Sequence, residues 1–224
     1  MDSNLHGTPL FSALDDATAD SLQRSMVPQS LKKGKTLFNE GEPGDRLYVV
    51  TDGKIKLSHA SGDGRESLLM VLGPGDMFGE LSLFDPGPRT STAIAVTDAA
   101  VLGLGTNDLR PWLSGRPEVA QSLLQALAHR LRRTSEAMSD LVFADVPGRV
   151  AKALLELGEK FGTPTPDGLY VHHDLTQEEL AQLVGASRET VNKSLADFAS
   201  RGWLKLETRS VELLDLERLS KRAG

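Results

Sequence analysis

Hydrophobic positions along this chain change their period twice. From Gly34 to Gly87, ten glycines punctuate short apolar runs such as Leu47-Tyr48-Val49-Val50, Ile55-Lys56-Leu57 and Leu68-Leu69-Met70-Val71-Leu72. Two more runs follow, Ala93–Val96 and Ala100–Leu104. Short strands with a turn every 8–12 residues predict a small antiparallel β domain over about residues 30–105. Ser61-Gly62-Asp63-Gly64 reads as one of its hairpin turns, because glycine tolerates positive φ and Asp bonds its own backbone.

From Pro117 to Phe143 the period becomes helical. Ala120, Leu124, Leu127, Leu131, Thr134, Met138 and Leu141 are spaced alternately four and three apart, a heptad seam with charged flanks at Arg130, Arg132, Arg133, Glu136 and Asp140. A helix of this length spans about 40 Å, and one β domain cannot cover it. Pairing of two copies through the seam is therefore expected. Thr134 is the one polar residue in that seam, which suggests a role in register or ligand binding.

Asp145-Val146-Pro147-Gly148-Arg149 breaks the pattern and reads as a hinge at 145–149. A helix is expected over Val150–Phe161, a loop over Gly162–Gly168 and a short strand over Leu169–His173. Thr176 followed by Glu179 forms a capping box that starts a helix, and Gly185 ends it. Ser187 caps a second helix with Val191, Leu195 and Phe198 pointing inward. Two helices joined by a tight glycine turn make a helix-turn-helix, and Trp203–Leu214 reads as a β-hairpin wing. The second helix opens with Arg188, Glu189 and Thr190 and carries Lys193 one turn on. Arginine forks onto guanine and glutamate accepts from cytosine, whereas Ser187, Thr190 and Thr176 suit phosphates. The competing reading is a three-helix core with a solvated charged face.

Bulk charge does not favour DNA. The 224 residues carry net charge -6, and residues 145–224 hold 11 basic and 13 acidic side chains. Local distribution does: Arg188, Lys193, Arg201, Lys205 and Arg209 outnumber the three acids in the same stretch. The absence of cysteine excludes disulfides, thiol nucleophiles and Cys-ligated metals. The five histidines lack metal or triad partners and are expected to face solvent, so neither an enzyme nor a metal site is predicted. No apolar run approaches the roughly 20 residues of a membrane helix, and Met1-Asp2-Ser3-Asn4 shows no signal pattern, so a cytoplasmic protein with no membrane partner is expected.

One segment of the β domain carries chemistry. Gly79 precedes a short helical turn over Glu80–Phe84, which presents backbone N–H groups to an anion. Arg89 follows a Pro86-Gly87-Pro88 loop that could pre-aim its fork, and Thr90 and Ser91 add hydroxyls. Glu80 fits as an acceptor for a sugar hydroxyl. Alternatively, Arg89 pairs with Asp85 and merely stiffens the loop.

Gly79-Glu80-Leu81-Ser82-Leu83-Phe84…Arg89-Thr90, the helix bearing Arg130…Thr134-Ser135, and Gly185-Ala-Ser-Arg-Glu-Thr-Val191 together resemble the cyclic-AMP receptor protein (Crp/Fnr) family. Phe84–Thr90 and Asp145–Lys152 look like its actinobacterial Crp/GlxR-type branch. The resemblance covers about Phe11 to Leu219. It implies an α+β chain with a cyclic-nucleotide-binding β jelly roll over residues 1–116, a dimerisation helix over 117–144, and a winged helix-turn-helix over 150–224. It implies that Gly79, Arg89 and Thr90 hold the cyclic phosphate of cyclic AMP, that Leu81 and Ser82 also belong to the ligand site, and that Glu80 takes the ribose hydroxyl. Thr134 would contact adenine, and Ser135 would do so across a homodimer. Double-stranded DNA with a near-palindromic TGTGA…TCACA-type site and RNA polymerase are the implied partners. The chain departs from the pattern at Lys193, where arginine is usual, and at Glu178, where an amide is common. A regulator of the same fold that binds DNA without cyclic AMP, or answers another ligand, is the alternative.

Overall fold

The computed structural model describes residues 11, 14–62, 64, 66–85 and 87–224. The chain divides into two units with the main boundary between Arg133 and Thr134, the short segment Arg65–Leu69 grouping with the second. The first begins with helix α1 (Asp16–Arg24), capped by Asp15, whose carboxylate accepts the Thr18 N–H. Eight strands follow: β1 (Val27–Leu31), β2 (Thr36–Phe38), β3 (Arg46–Asp52), β4 (Ile55–Ala60), β5 (Glu66–Leu72), β6 (Met77–Phe78), β7 (Thr92–Ala95) and β8 (Ala99–Gly105). They form two four-stranded sheets, ordered β1-β8-β3-β6 and β2-β7-β4-β5.

The sheets close over one apolar layer to which Leu31, Phe38, Tyr48, Val50, Ile55, Leu57, Phe78 and Val101 contribute. The unbroken apolar run in β3 has a simple cause. Tyr48 and Val50 point into this layer, whereas Leu47 and Val49 pack on the opposite face with Leu22, Leu104, Leu109, Val119 and Leu123. A strand buried on both faces loses the alternation expected of a half-exposed one. The expected turn between β4 and β5 is present: the Gly64 N–H donates to the Ser61 carbonyl at 2.8 Å and Gly64 takes φ +81°. Asp63, part of that reading, lies outside the described residues, as do Pro86 of the pre-aiming loop and His6.

Helix α2 (Leu81–Phe84) follows Gly79 as anticipated, and α3 (Thr106–Gly115) leads into α4 (Pro117–Phe143). Val119 and Leu123 of α4 are buried in the unit's second core, contributing about 2 kcal/mol each. The seam is different: Leu124 is 67%, Leu131 68%, Met138 64% and Leu141 57% exposed within one chain.

The second unit holds the end of α4, then α5 (Val146–Phe161), β9 (Gly162–Thr165), β10 (Gly168–Val171), α6 (Gln177–Val184), α7 (Arg188–Ser200), β11 (Leu204–Glu207), β12 (Ser210–Leu213) and α8 (Leu216–Ala223). Its sheet runs β11-β12-β10-β9, so the wing hairpin extends a second hairpin. Leu154, Leu180, Val191, Leu195 and Phe198 are buried, as the helical spacing required.

Three expectations change. The helix expected from Val150 starts earlier, inside the 145–149 segment: Asp145 caps α5 by accepting the Gly148 N–H at 2.9 Å, and Val146–Arg149 are its first turn. Proline suits that turn because its missing N–H has no intrahelical partner there. The Gly162–Gly168 loop is instead the hairpin of β9 and β10, paired from Gly162↔Val171 to Thr165↔Gly168. His173 does not face solvent; it is 7% exposed, and its Nδ1 accepts the Leu175 N–H at 3.1 Å.

Candidate ligand cradle and DNA-reading helix

Gly79, Leu81, Ser82, Arg89 and Thr90 line one shallow pocket together with Arg130. Arg89 is 5% exposed. Its Nη1 donates to the Gly79 carbonyl at 2.8 Å and to Ser82 Oγ at 3.4 Å, and its guanidinium lies 4.3 Å over the Phe38 ring. These contacts hold the fork as an anchored donor, and its Nε has no partner. Burial pulls its pKa down; Tyr48 and the carboxylates of Asp45 and Glu80 oppose this. Arg89 thus turns inward to the Gly79 turn and does not serve as a surface partner for Asp85.

Gly79 is required twice. It takes φ +75°, and a Cβ there would come within 2.8 Å of Arg89 Nη1 and 3.1 Å of the Arg46 carbonyl. The same crowding occurs at Gly44, where a Cβ would meet Ser82 Oγ at 2.2 Å.

Glu80 is fully buried and begins α2. Its Oε1 accepts from Arg130 Nη1 at 2.7 Å, while Oε2 is buried with no partner. An unpaired buried acceptor costs about 1–3 kcal/mol, so the atom is placed for something that donates to it. Arg130 was legible as a charged flank of the heptad seam and as part of the family motif on that helix; nothing near it in sequence marks Glu80, fifty positions earlier, as its partner. Thr134 and Ser135, the expected base contacts, belong to the second unit and are exposed on α4.

In the second unit, the N-termini of α6 and α7 are built by side chains expected to touch DNA. Thr176 forms a complete capping box: its Oγ accepts the Glu179 N–H at 3.1 Å, and Glu179 Oε2 accepts the Thr176 N–H at 2.7 Å and its hydroxyl at 2.9 Å. The Thr176 hydroxyl is therefore already engaged in the cap. Ser187 Oγ accepts the Thr190 N–H at 3.2 Å and lies 2.9 Å from Thr190 Oγ. Arg188, Glu189, Thr190 and Lys193 all stand exposed on α7. Of the five basic residues counted there, Arg201 pairs with Asp197 at 2.8 Å and Lys205 with Glu212 at 2.9 Å, which narrows the patch toward Arg188, Lys193 and the wing turn at Arg209.

Similarity to known proteins follows the same division. The family described as "Cyclic nucleotide-binding domain" matches residues 28–115, and that described as "Crp-like helix-turn-helix domain" matches residues 148–222. The chain is 53% identical over 223 residues, covering 100% of both sequences, to the "CRP-like cAMP-activated global transcriptional regulator" of Mycobacterium tuberculosis. It is 36% identical to the "Cyclic AMP receptor protein" of Thermus thermophilus, covering 98% of each. Among solved structures, a CRP-family transcriptional regulator, also from Thermus thermophilus, superposes with TM-score 0.75 at 30% identity, over 88% of this chain and 96% of that one. With both modules in order and a full-length relative at this identity, the chain belongs to the Crp/Fnr family of transcription regulators.

Proposed function

We propose that the chain is a cyclic-AMP-responsive transcription regulator that binds a near-palindromic operator as a homodimer. The cradle carries this reading: one anchored guanidinium for the cyclic phosphate, and one buried carboxylate oxygen, Glu80 Oε2, open to a ribose hydroxyl. Cyclic AMP supplies both groups from adjacent positions on one small molecule. Thr134 and Ser135 then take the adenine, Ser135 from the partner copy. The exposed seam of α4 supports pairing, since Leu124, Leu131 and Met138 lie in register at heptad spacing.

Two paired copies set their α7 helices about 34 Å apart, matching successive major grooves. Arg188 and Glu189 read base edges, Lys193 adds a point contact, Ser187 and Thr190 hold phosphates, and Thr176 acts by capping α6 so that the helix start faces the backbone. Cyclic AMP acts by preferring the competent arrangement of the dimer, which is the only way a ligand shifts such an equilibrium. RNA polymerase is the downstream partner, the protein works in the cytoplasm, and it performs no chemistry on the nucleotide. Among the described residues, no helix is long and apolar enough to cross a membrane.

Calorimetry against cyclic AMP and cyclic GMP, with operator titrations in each, tests this. Cyclic AMP should bind and tighten operator binding. Equal operator affinity with and without it overturns the switch and leaves a constitutive or differently liganded DNA-binding protein.

A further inference from the structure

Four carbonyls at the end of α6 have identified partners. The Ala186 N–H donates to the Ala181 carbonyl at 3.1 Å and the Gly185 N–H to the Gln182 carbonyl at 3.2 Å, the two bonds of a left-handed glycine cap. The Val184 and Gly185 carbonyls are both taken by one side chain. Arg149, in the first turn of α5, donates from Nε to the Val184 carbonyl at 3.0 Å and from Nη2 to the Gly185 carbonyl at 3.3 Å. Its third nitrogen, Nη1, donates at 2.7 Å to the carbonyl of Ala144, the residue immediately after α4. A single planar fork thereby joins the end of α4 to the turn that launches α7.

The same turn is packed from α4 as well. Gly185 has φ +66°, and a Cβ on it would lie 2.9 Å from Leu141 Cδ2 in the last turn of α4. Around this point Lys152 pairs with Asp140 at 2.5 Å, and Arg222 grips both oxygens of Asp145 at 2.7 and 2.6 Å. Those two pairs join α4 and its junction to α5 and α8. Arg149 alone among these cations reaches the helix-turn-helix turn.

We propose that Arg149 is a positioning residue: it fixes the angle of the reading helix to the end of the seam helix, so that ordering of the seam reaches Arg188 and Glu189. This rests on the reading of α4 as the seam of a cyclic-AMP-bound dimer. Lysine cannot replace Arg149, because one ammonium on a flexible stem cannot hold three carbonyls in a plane. The cationic fork also sits at the negative end of α6, where a charge is favourable.

The test uses the full chain carrying Arg149→Lys, Arg149→Gln or, as a stability control, the core substitution Leu154→Ala. Cyclic AMP affinity, operator affinity with and without cyclic AMP, and affinity for operators whose half-sites are moved by one base pair are measured together. In both Arg149 variants, cyclic AMP affinity should stay within about twofold, and the ligand's enhancement of operator binding should fall about tenfold. The penalty for misplaced half-sites should also shrink. Leu154→Ala should lower the melting temperature but retain the enhancement and the spacing penalty. Retention of both in folded Arg149 variants overturns the proposal, as does their equal loss in Leu154→Ala. Absence of any cyclic AMP effect in the unmodified chain instead overturns the parent reading, and the spacing measurement still decides whether Arg149 sets the helix angle.

Discussion

Arg130 on the long helix donates to Glu80 at 2.7 Å and leaves the second carboxylate oxygen buried and unpartnered. The pair orients the carboxylate without using it up. If Oε2 accepts the ribose 2′-hydroxyl, the unmodified protein should bind the 2′-deoxy analogue of cyclic AMP roughly 10- to 100-fold more weakly, the worth of a hydrogen bond to a charged group. In Glu80→Gln the two nucleotides should bind more nearly alike. Calorimetry with both ligands checks this, and an unchanged gap removes Glu80 from ribose recognition.

Gly79→Ala should damage the cradle more than the fold. The left-handed backbone alone costs about 1 kcal/mol. The added methyl also meets Arg89 Nη1, which must move from its anchor. The expected result is a folded protein with at least about tenfold weaker cyclic AMP binding, read from a melting curve and a titration on one preparation.

Leu131 lies mid-seam and is 68% exposed in one chain. Leu131→Asp should place paired carboxylates in the seam of a dimer and yield monomers by sedimentation, with operator affinity greatly reduced. A monomeric unmodified protein would remove the seam as the source of pairing.

Lys193→Arg should sharpen base discrimination. A bidentate fork on guanine is worth about 1–3 kcal/mol against the wrong base, and an ammonium offers only a point contact. Binding to a set of singly substituted operators would reveal one position whose mismatch penalty rises.

Arg222 holds Asp145, and this contact, followed by the Gly148 N–H, keeps the Asp145 carboxyl below its ordinary range. A carboxyl depressed in the folded state adds stability above its unfolded pKa and loses it as pH falls through the folded value. Arg222→Ala should therefore be less stable than the parent near neutrality, with the difference closing in acid. Denaturant unfolding from neutral pH to about pH 3 gives the comparison. The effect is small because Asp145 is mostly exposed.

Much of this architecture is written locally. The capping box at Thr176–Glu179, the cap at Ser187 and the turn at Gly185 depend on residues within a few positions of one another, so the chain alone specifies them. The same holds for Gly79 before α2. Features that depend on distant partners were not legible. Glu80 and Arg130 lie fifty positions apart, and the carbonyls that hold Arg149 lie up to 36 positions away. The start of α5 was not legible because Pro147 and Gly148 look like breakers, although proline fits a helix's first turn. Gly148 is packed close to the Arg222 carbonyl, where a Cβ would come within 3.2 Å, and that contact has no sequence signature. The β9–β10 hairpin was hidden by its two prolines: Pro164 sits in an edge strand, which tolerates it where no ladder donor is needed, and Pro166 sits in the turn.

Arg89 contributes one positive charge to the cradle, and that of Arg130 is cancelled by Glu80. A cyclic phosphodiester carries a single negative charge, whereas its ring-opened monoester approaches two at neutral pH. On the proposed reading, a cradle with one uncancelled cation suits the intact messenger better than the hydrolysed one. Cutting one ester bond would then suffice to extinguish the signal, with no need to clear the spent nucleotide from the cell.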